Sequence, residues 1–149
     1  MQILFVCMGN TCRSPMAEIM FNTFTPNREW EAASAGIATW DGMMASPLAI
    51  DEMEARGMSL GHHRSRQIDA DIIEAADLVL AMTARHKQTL LHKFPEHQNK
   101  IFTLGEYAGM PDEEVSDPFG EGEESYLNTA NQLVKLLQAI FNKIDDGPE

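Results

Sequence analysis

Residues 7–15 read Cys7-Met8-Gly9-Asn10-Thr11-Cys12-Arg13-Ser14-Pro15, set between the apolar run Ile3-Leu4-Phe5-Val6 and the segment Met16-Ala17-Glu18-Ile19-Met20-Phe21. The apolar run predicts a short buried strand, and the segment after the loop predicts a helix from Pro15 to about Phe24. Ser14 suits the N-cap, and Pro15 suits the first helical turn, where its missing N–H costs nothing. A loop between a strand end and a helix N-terminus has unpaired backbone N–H groups and the positive end of a helix dipole, which together suit an anion. Gly9 and Asn10 tolerate the positive φ angles that let successive amides turn inward as a nest.

Two side chains give this cradle a chemistry. Inward amides, the helix dipole and Arg13 favour the thiolate of Cys7 at the loop floor. Arg13 offers a planar fork that matches two phosphate oxygens. A thiolate, an amide cradle and a guanidinium around one anion describe a nucleophile aimed at phosphorus. The Ser14 hydroxyl can also donate to the Cys7 sulfur and ease its departure as a thiolate.

Composition bounds the rest. A chain of 149 residues is the size of one domain with one core, here taken as 1–149. No apolar run reaches membrane-spanning length, and the first residues lack a basic region or cleavage site, so a cytoplasmic protein is expected. The two cysteines both lie in the loop, which leaves no secreted disulfide framework. A formal net charge of −12 argues against nucleic acid or an anionic membrane as partner. Phosphate must therefore be attracted locally, by the cradle.

Along the chain, Trp30–Ala35 predicts a second strand ending at Gly36. Residues 47–56 predict a helix with Ser46 as cap, Pro47 at its start and Leu48, Ala49, Ile50 and Met53 as its apolar face. Asp69–Ala75 predicts a short helix. The nearly all-apolar Asp77–Met82 predicts a third strand, of the kind buried at the centre of a parallel sheet. Thr83 then caps a helix from Ala84 to about Phe94, and Lys100–Leu104 predicts a fourth strand. A last helix runs from about Glu123 to Ile144, with Leu127, Ala130, Val134, Leu137, Phe141 and Ile144 toward the core. The tail Asp145–Glu149 is expected to end it and fray. Strands alternating with helices imply an α/β fold with a parallel sheet, whose carboxyl edge carries the loop. Adjacent His62 and His63 lack acidic or cysteine partners at ligand spacing, so no metal is expected. Asp112, Glu113 and Glu114 read as surface charges.

The string Val6-Cys7-Met8-Gly9-Asn10-Thr11-Cys12-Arg13-Ser14-Pro15-Met16-Ala17-Glu18, directly after the first strand, resembles the low-molecular-weight protein tyrosine phosphatases. The resemblance extends to Ser34-Ala35-Gly36, to Gly61-His62-His63-Arg64-Ser65-Arg66-Gln67 and to Asp117-Pro118. It implies a three-layer α/β sandwich around a four-stranded parallel sheet in the order 2-1-3-4. It implies Cys7, Arg13 and Asp117 as catalytic residues, with Asp117 as general acid and Pro118 stiffening its loop. Phosphate and substrate would meet Met8, Gly9, Asn10, Thr11, Cys12 and Ser14, with Trp40 and Phe119 at the pocket walls. Taken alone, Trp40 reads equally well as a partly buried packing residue. Ser34 and His63 would support the loop asparagine, although by itself Ser34 reads as a solvated strand end. Cys12 reads either as a small packing residue or, as in several family members, as a disulfide partner that shelters Cys7 from oxidants. The family needs no cofactor, and it acts on phosphorylated proteins or peptides, here expected as a monomer.

Two residues bear on which group is dephosphorylated. Thr11 stands where tyrosine-directed members carry an apolar residue that packs a phenyl ring; a hydroxyl can bond a guanidinium instead. Only one aromatic, Phe119, follows Asp117-Pro118, where many tyrosine phosphatases carry two. With the loop string and Ala76–Thr83, these features resemble the family's bacterial protein-arginine phosphatases; a tyrosine phosphatase is the alternative. Arsenate reductases share the loop but need further cysteines, and none follows Cys12. An idle phosphate-binding module would not need an acid loop.

Overall fold

The structure, a computed structural model, describes residues 1–146. Strand β1, Gln2–Cys7, runs at the centre of a parallel sheet, between β2, Glu31–Gly36, and β3, Leu78–Ala81. Strand β4, Ile101–Thr103, pairs with β3 and completes the order β2-β1-β3-β4. Successive strand residues point to opposite faces. Ile3, Phe5 and Cys7 therefore enter one apolar cluster, and Leu4 and Val6 another.

The first cluster is closed by helices α1, Arg13–Phe24, α2, Pro47–Ala55, and α6, Glu123–Asp146. Met16, Phe21, Met53, Leu133 and Ile140 are among its fully buried members. The second is closed by α3, Ala70–Ala75, and α4, Ala84–Lys93, through Ile73 and Leu90. Helices on both faces of one sheet make the three-layer sandwich expected from the sequence. A 3₁₀ turn, Pro95–Lys100, leads into β4, and a one-turn helix, α5, Leu104–Tyr107, follows it. Neither was anticipated from the sequence. No helix among the described residues is long and apolar enough to cross a membrane.

Local chemistry sets most boundaries. Ser46, Asp69 and Thr83 each accept a hydrogen bond from a backbone N–H three residues on and so cap α2, α3 and α4. Thr103 and Glu106 form a reciprocal capping box at α5.

Two expectations are corrected. The first helix begins at Arg13, and Ser14 does not cap it; Cys12 holds the cap position without a side-chain bond. Leu127 and Val134 are exposed. The buried stripe of α6 runs through Tyr126, Ala130, Leu133, Leu137 and Ile140, and Leu127 and Val134, seven residues apart, share its solvent edge. Glu113 and Glu114 lie at the surface, as expected, where Glu113 pairs with Lys135 at 2.8 Å and Glu114 accepts from the Ala84 N–H at the start of α4. Of the tail Asp145–Glu149, expected to end the last helix and fray, Asp145 and Asp146 belong to helix α6, and Gly147–Glu149 lie outside the described residues.

Gly105 shows how tightly α5 is pressed against the segment that follows it. A Cβ there would run into the carbonyl oxygens of Met110 and Glu113, which are backbone atoms with little freedom to yield. Replacing Gly105 with Ala is expected to destabilise the protein by about 1–3 kcal/mol or more, as overpacking does. Urea denaturation of wild type and Gly105→Ala measures it, and equal midpoints would contradict the packing.

Candidate active site

The loop between β1 and α1 closes around Asn10, the one described non-glycine residue with a positive φ, 56°. Asn10 is fully buried, and every polar group it carries is engaged. Its N–H points at Cys7 Sγ, 3.3 Å away. Its carbonyl accepts from His63 Nε2 at 2.8 Å, which requires the proton of that imidazole on Nε2. Its Oδ1 accepts from the Arg66 N–H at 2.9 Å. Because a backbone N–H can only donate, this bond settles the amide orientation and turns Nδ2 toward Ser14 and Ser34.

Nδ2 donates to Ser14 Oγ at 2.8 Å and to Ser34 Oγ at 3.0 Å. The Ser34 hydroxyl passes its own proton bond to the Glu18 carboxylate. Ser14 Oγ lies 2.9 Å from Cys7 Sγ, within hydrogen-bond reach, and its hydroxyl is placed to donate to the sulfur when that is a thiolate. The sulfur thus faces one hydroxyl and one backbone amide. Asn10 and Ser14 stand behind the loop, where they shape it, while Cys7, Met8, Gly9, Thr11, Cys12 and Arg13 line a pocket of about 620 Å³ in front. Ile37 and Ala38 N–H groups donate to the Cys7 and Met8 carbonyls, extending the β2 pairing into the loop. Gly36 permits that approach: a Cβ would lie 3.0 Å from the Met8 carbonyl oxygen and 3.1 Å from Asn10 Cβ.

Arg13 is buried and reaches across to the far segment. Its Nη1 donates to the Val115 carbonyl at 3.0 Å, and its Nη2 lies 3.5 Å from Asp117 Oδ2. Asp117 stays half exposed at the pocket and accepts from the Phe119 N–H, 3.0 Å away, in an Asx turn. The segment before it is held firmly. Val115 N–H donates to the Met82 carbonyl, Gln132 bonds Ser116 and the Glu114 carbonyl, and Thr129 bonds the Ser116 carbonyl. Trp40 and Phe119, both well exposed, form the mouth of the pocket with Met43 and Gln67. Trp40 is therefore a wall residue and not a buried packing one. Thr11 is half-buried in the pocket floor, and its hydroxyl has no partner closer than Cys12 Sγ at 3.9 Å.

Both cysteines are free. Cys12 Sγ is engaged by Ser46 Oγ at 3.4 Å and by the Tyr126 hydroxyl at 3.3 Å. Burial, then the Cys12 contact, pushes the Tyr126 hydroxyl up to about 12. Burial also lowers His63, partly opposed by its bond to Asn10. No cluster of three or more His, Cys, Asp or Glu among the described residues is placed to hold a metal ion.

Several participants went unread in the sequence. Glu18 stands in the quoted string, yet only the fold brings it to Ser34. Arg66 likewise stands in a quoted segment, but its bond to Asn10 was not read there; Gln132 and Tyr126 had no signal. Nor had His86, buried in the first turn of α4 with a partnerless Nδ1. Burial first, then the Arg13 charge, lowers His86 to about 4 from its ordinary 6.5.

Residues 2–147 match the family described as low molecular weight phosphotyrosine protein phosphatase. A protein-arginine-phosphatase of Bacillus subtilis (strain 168) is 37% identical over 146 residues, covering 97% of each chain. A crystal structure of a low molecular weight protein tyrosine phosphatase from T. tengcongensis is 40% identical, with a TM-score of 0.91 over 95% of this chain and 98% of that one. A YwlE arginine phosphatase, solved as a mutant with a phosphorylated active-site serine in place of cysteine, is 37% identical. Its TM-score is 0.91 over 97% of this chain and 96% of that one.

His86 makes stability depend on pH. The unfolded chain binds a proton below about 6.5 that the folded protein refuses until about 4. Stability should therefore fall as pH drops through that window, by on the order of 2–3 kcal/mol at most. His86→Asn should flatten the decline in urea denaturation at stepped pH, and an unchanged slope would show that another group carries it.

Proposed function

This chain belongs to the low molecular weight phosphotyrosine protein phosphatase family, and we propose that within it the protein removes phosphate from phosphoarginine in proteins. It is a cysteine-dependent protein phosphatase; what is proposed is the leaving group and the part each residue plays.

In the first step the Cys7 thiolate attacks phosphorus in line, while loop amides and Arg13 hold the equatorial oxygens. The P–N bond breaks, and Asp117 gives its proton to the departing guanidine nitrogen, leaving a cysteinyl-phosphate. In the second step Asp117, now a carboxylate, takes a proton from water as the water oxygen attacks phosphorus. The S–P bond breaks, inorganic phosphate leaves, and the thiolate returns to the Ser14 hydroxyl 2.9 Å away. Atoms and charges balance through both steps without a metal or organic cofactor. Ser34 and His63 act through Asn10, which they position.

The observation that carries the arginine reading is Thr11. It lines the same pocket as Cys7 and Asp117, with a hydroxyl free to bond a guanidinium. The relatives named protein-arginine-phosphatase support it. The tyrosine reading draws support from exposed Trp40 and Phe119, which could flank an aromatic ring. Under oxidants such as peroxide, Cys12 would pair with Cys7 and protect it. We further read residues 1–149 as one domain that works as a monomer on phosphorylated proteins in the cytoplasm, without nucleic acid or membrane partners.

Cys7→Ser is expected to abolish turnover, and Asp117→Asn to lower kcat by about 10²–10⁴, the usual share of a general acid. Steady-state rates on a phosphopeptide test this, and near-normal rates with an intact fold would refute the assignment. For specificity, kcat/KM is compared on phosphoarginine and phosphotyrosine peptides for wild type and Thr11→Ile. Preference for phosphoarginine, lost in the variant, is expected. Preference for phosphotyrosine in the wild type would make Thr11 incidental.

A further inference from the structure

The exposed large apolar side chains are unevenly placed. Met8, Trp40, Met43, Met44 and Phe119 all stand about the phosphate loop, whereas Met1, Phe24, Leu127 and Val134 lie elsewhere. Part of this collar lines a second, separate groove of about 520 Å³, walled by Met44, Pro47 and Ile50. The groove shares Thr11, Met43 and Phe119 with the catalytic pocket, so the two are neighbours that meet at these side chains. Exposed apolar surface concentrated at one place marks a site that is covered in use.

The groove is built, not incidental. Ser46 N–H donates to the Thr11 carbonyl at 2.9 Å, which ties the start of α2 to the phosphate loop itself. Met43 is held on both sides by Ser65, whose hydroxyl accepts the Met43 N–H at 2.9 Å and whose N–H donates to the Met43 carbonyl at 2.8 Å. The distance between groove and nucleophile is therefore fixed by backbone bonds. At its far side Asp51 belongs both to this groove and to a smaller hollow that Glu123 also lines, and neither cavity has a basic side chain in its wall.

We propose that this groove is a second substrate subsite. It receives an apolar side chain flanking the phosphorylated residue of the substrate protein, with a basic residue beyond it facing Asp51 and Glu123. Any polypeptide whose phosphorylated residue enters the catalytic pocket must leave that pocket along its rim, and the groove adjoins that rim. Its wall chemistry selects the flank: methionine, proline and isoleucine for an apolar group, and carboxylates for a cation. The inference rests on the reading of the chain as a phosphatase of phosphorylated proteins, not on which residue carries the phosphate.

The full chain is assayed on p-nitrophenyl phosphate and on matched phosphoarginine and phosphotyrosine peptides. The flanks are leucine with lysine, or aspartate with glycine. The wild type should favour leucine–lysine flanks by about tenfold in kcat/KM, chiefly through KM. Met44→Asp and Asp51→Lys, both at exposed positions, should each erase that preference and leave p-nitrophenyl phosphate hydrolysis unchanged. Peptides turned over at one rate whatever their flanks would overturn the subsite while leaving the phosphatase reading intact. So would a loss in the variants that fell equally on p-nitrophenyl phosphate. Hydrolysis of p-nitrophenyl phosphate with neither peptide set touched would overturn both.

Discussion

The geometry of this protein hangs on one residue in an unfavourable backbone conformation. Asn10 sits in the left-handed region at φ 56°, which most non-glycine residues avoid and asparagine tolerates. Being wholly buried, it must also satisfy an amide and a full peptide unit away from water. His63, Arg66, Ser14 and Ser34 do so, and the Cys7 sulfur takes the remaining N–H. Because Arg66 fixes the amide orientation, Nδ2 faces Ser14 and Ser34, and the network runs on to Glu18 on one side and to Cys7 on the other. The contact of the Asn10 amide with Ser14, behind the nucleophile, is thus set by a backbone N–H more than fifty residues away.

The sheet supplies the second half of the arrangement. Alternation along β1 carries Ile3, Phe5 and Cys7 to the face covered by α1, α2 and α6. The nucleophile is consequently the last core residue of its strand, with its backbone carbonyl still paired to Ile37. The segment bearing Asp117 comes from the other end of the chain and is bolted to β3, α4 and α6 before it reaches the pocket. Arg13 then joins the two halves by bonding Val115, 102 residues distant. A guanidinium that grips both a carbonyl and a neighbouring carboxylate keeps its fork pre-oriented, and less rotamer freedom remains to be lost on binding an anion.

The acid segment illustrates the difference between a local and a non-local reading. By composition, 112–120 is a solvated turn-rich stretch, and Asp117 stood out only through the family's Asp-Pro. In the structure Glu113 pairs with Lys135 and Gln132, and Glu114 caps α4. Their partners lie on other elements, so nothing in their own neighbourhood announced them. Leu127 and Val134 teach the same lesson in reverse. Both fit a helical period, but a stripe on a helix has edges, and where the neighbouring helices stop covering it is decided by packing.

What the sequence determined by itself is what depends on near neighbours. The strand–loop–helix about Cys7, the caps at Ser46, Asp69 and Thr83, the alternation of strands and helices, and the loop string that names the family all reside in a few consecutive residues. The tertiary structure alone decided the rest. It moved Ser14 from the expected helix cap to the side of Cys7 Sγ, placed Glu18 against Ser34, and set Tyr126 and Ser46 against Cys12. It also left His86 neutral beside Arg13. The physical reason is range: capping and periodicity act over one or two turns of chain. Hydrogen-bond direction, burial and charge proximity exist only once distant segments share one buried volume.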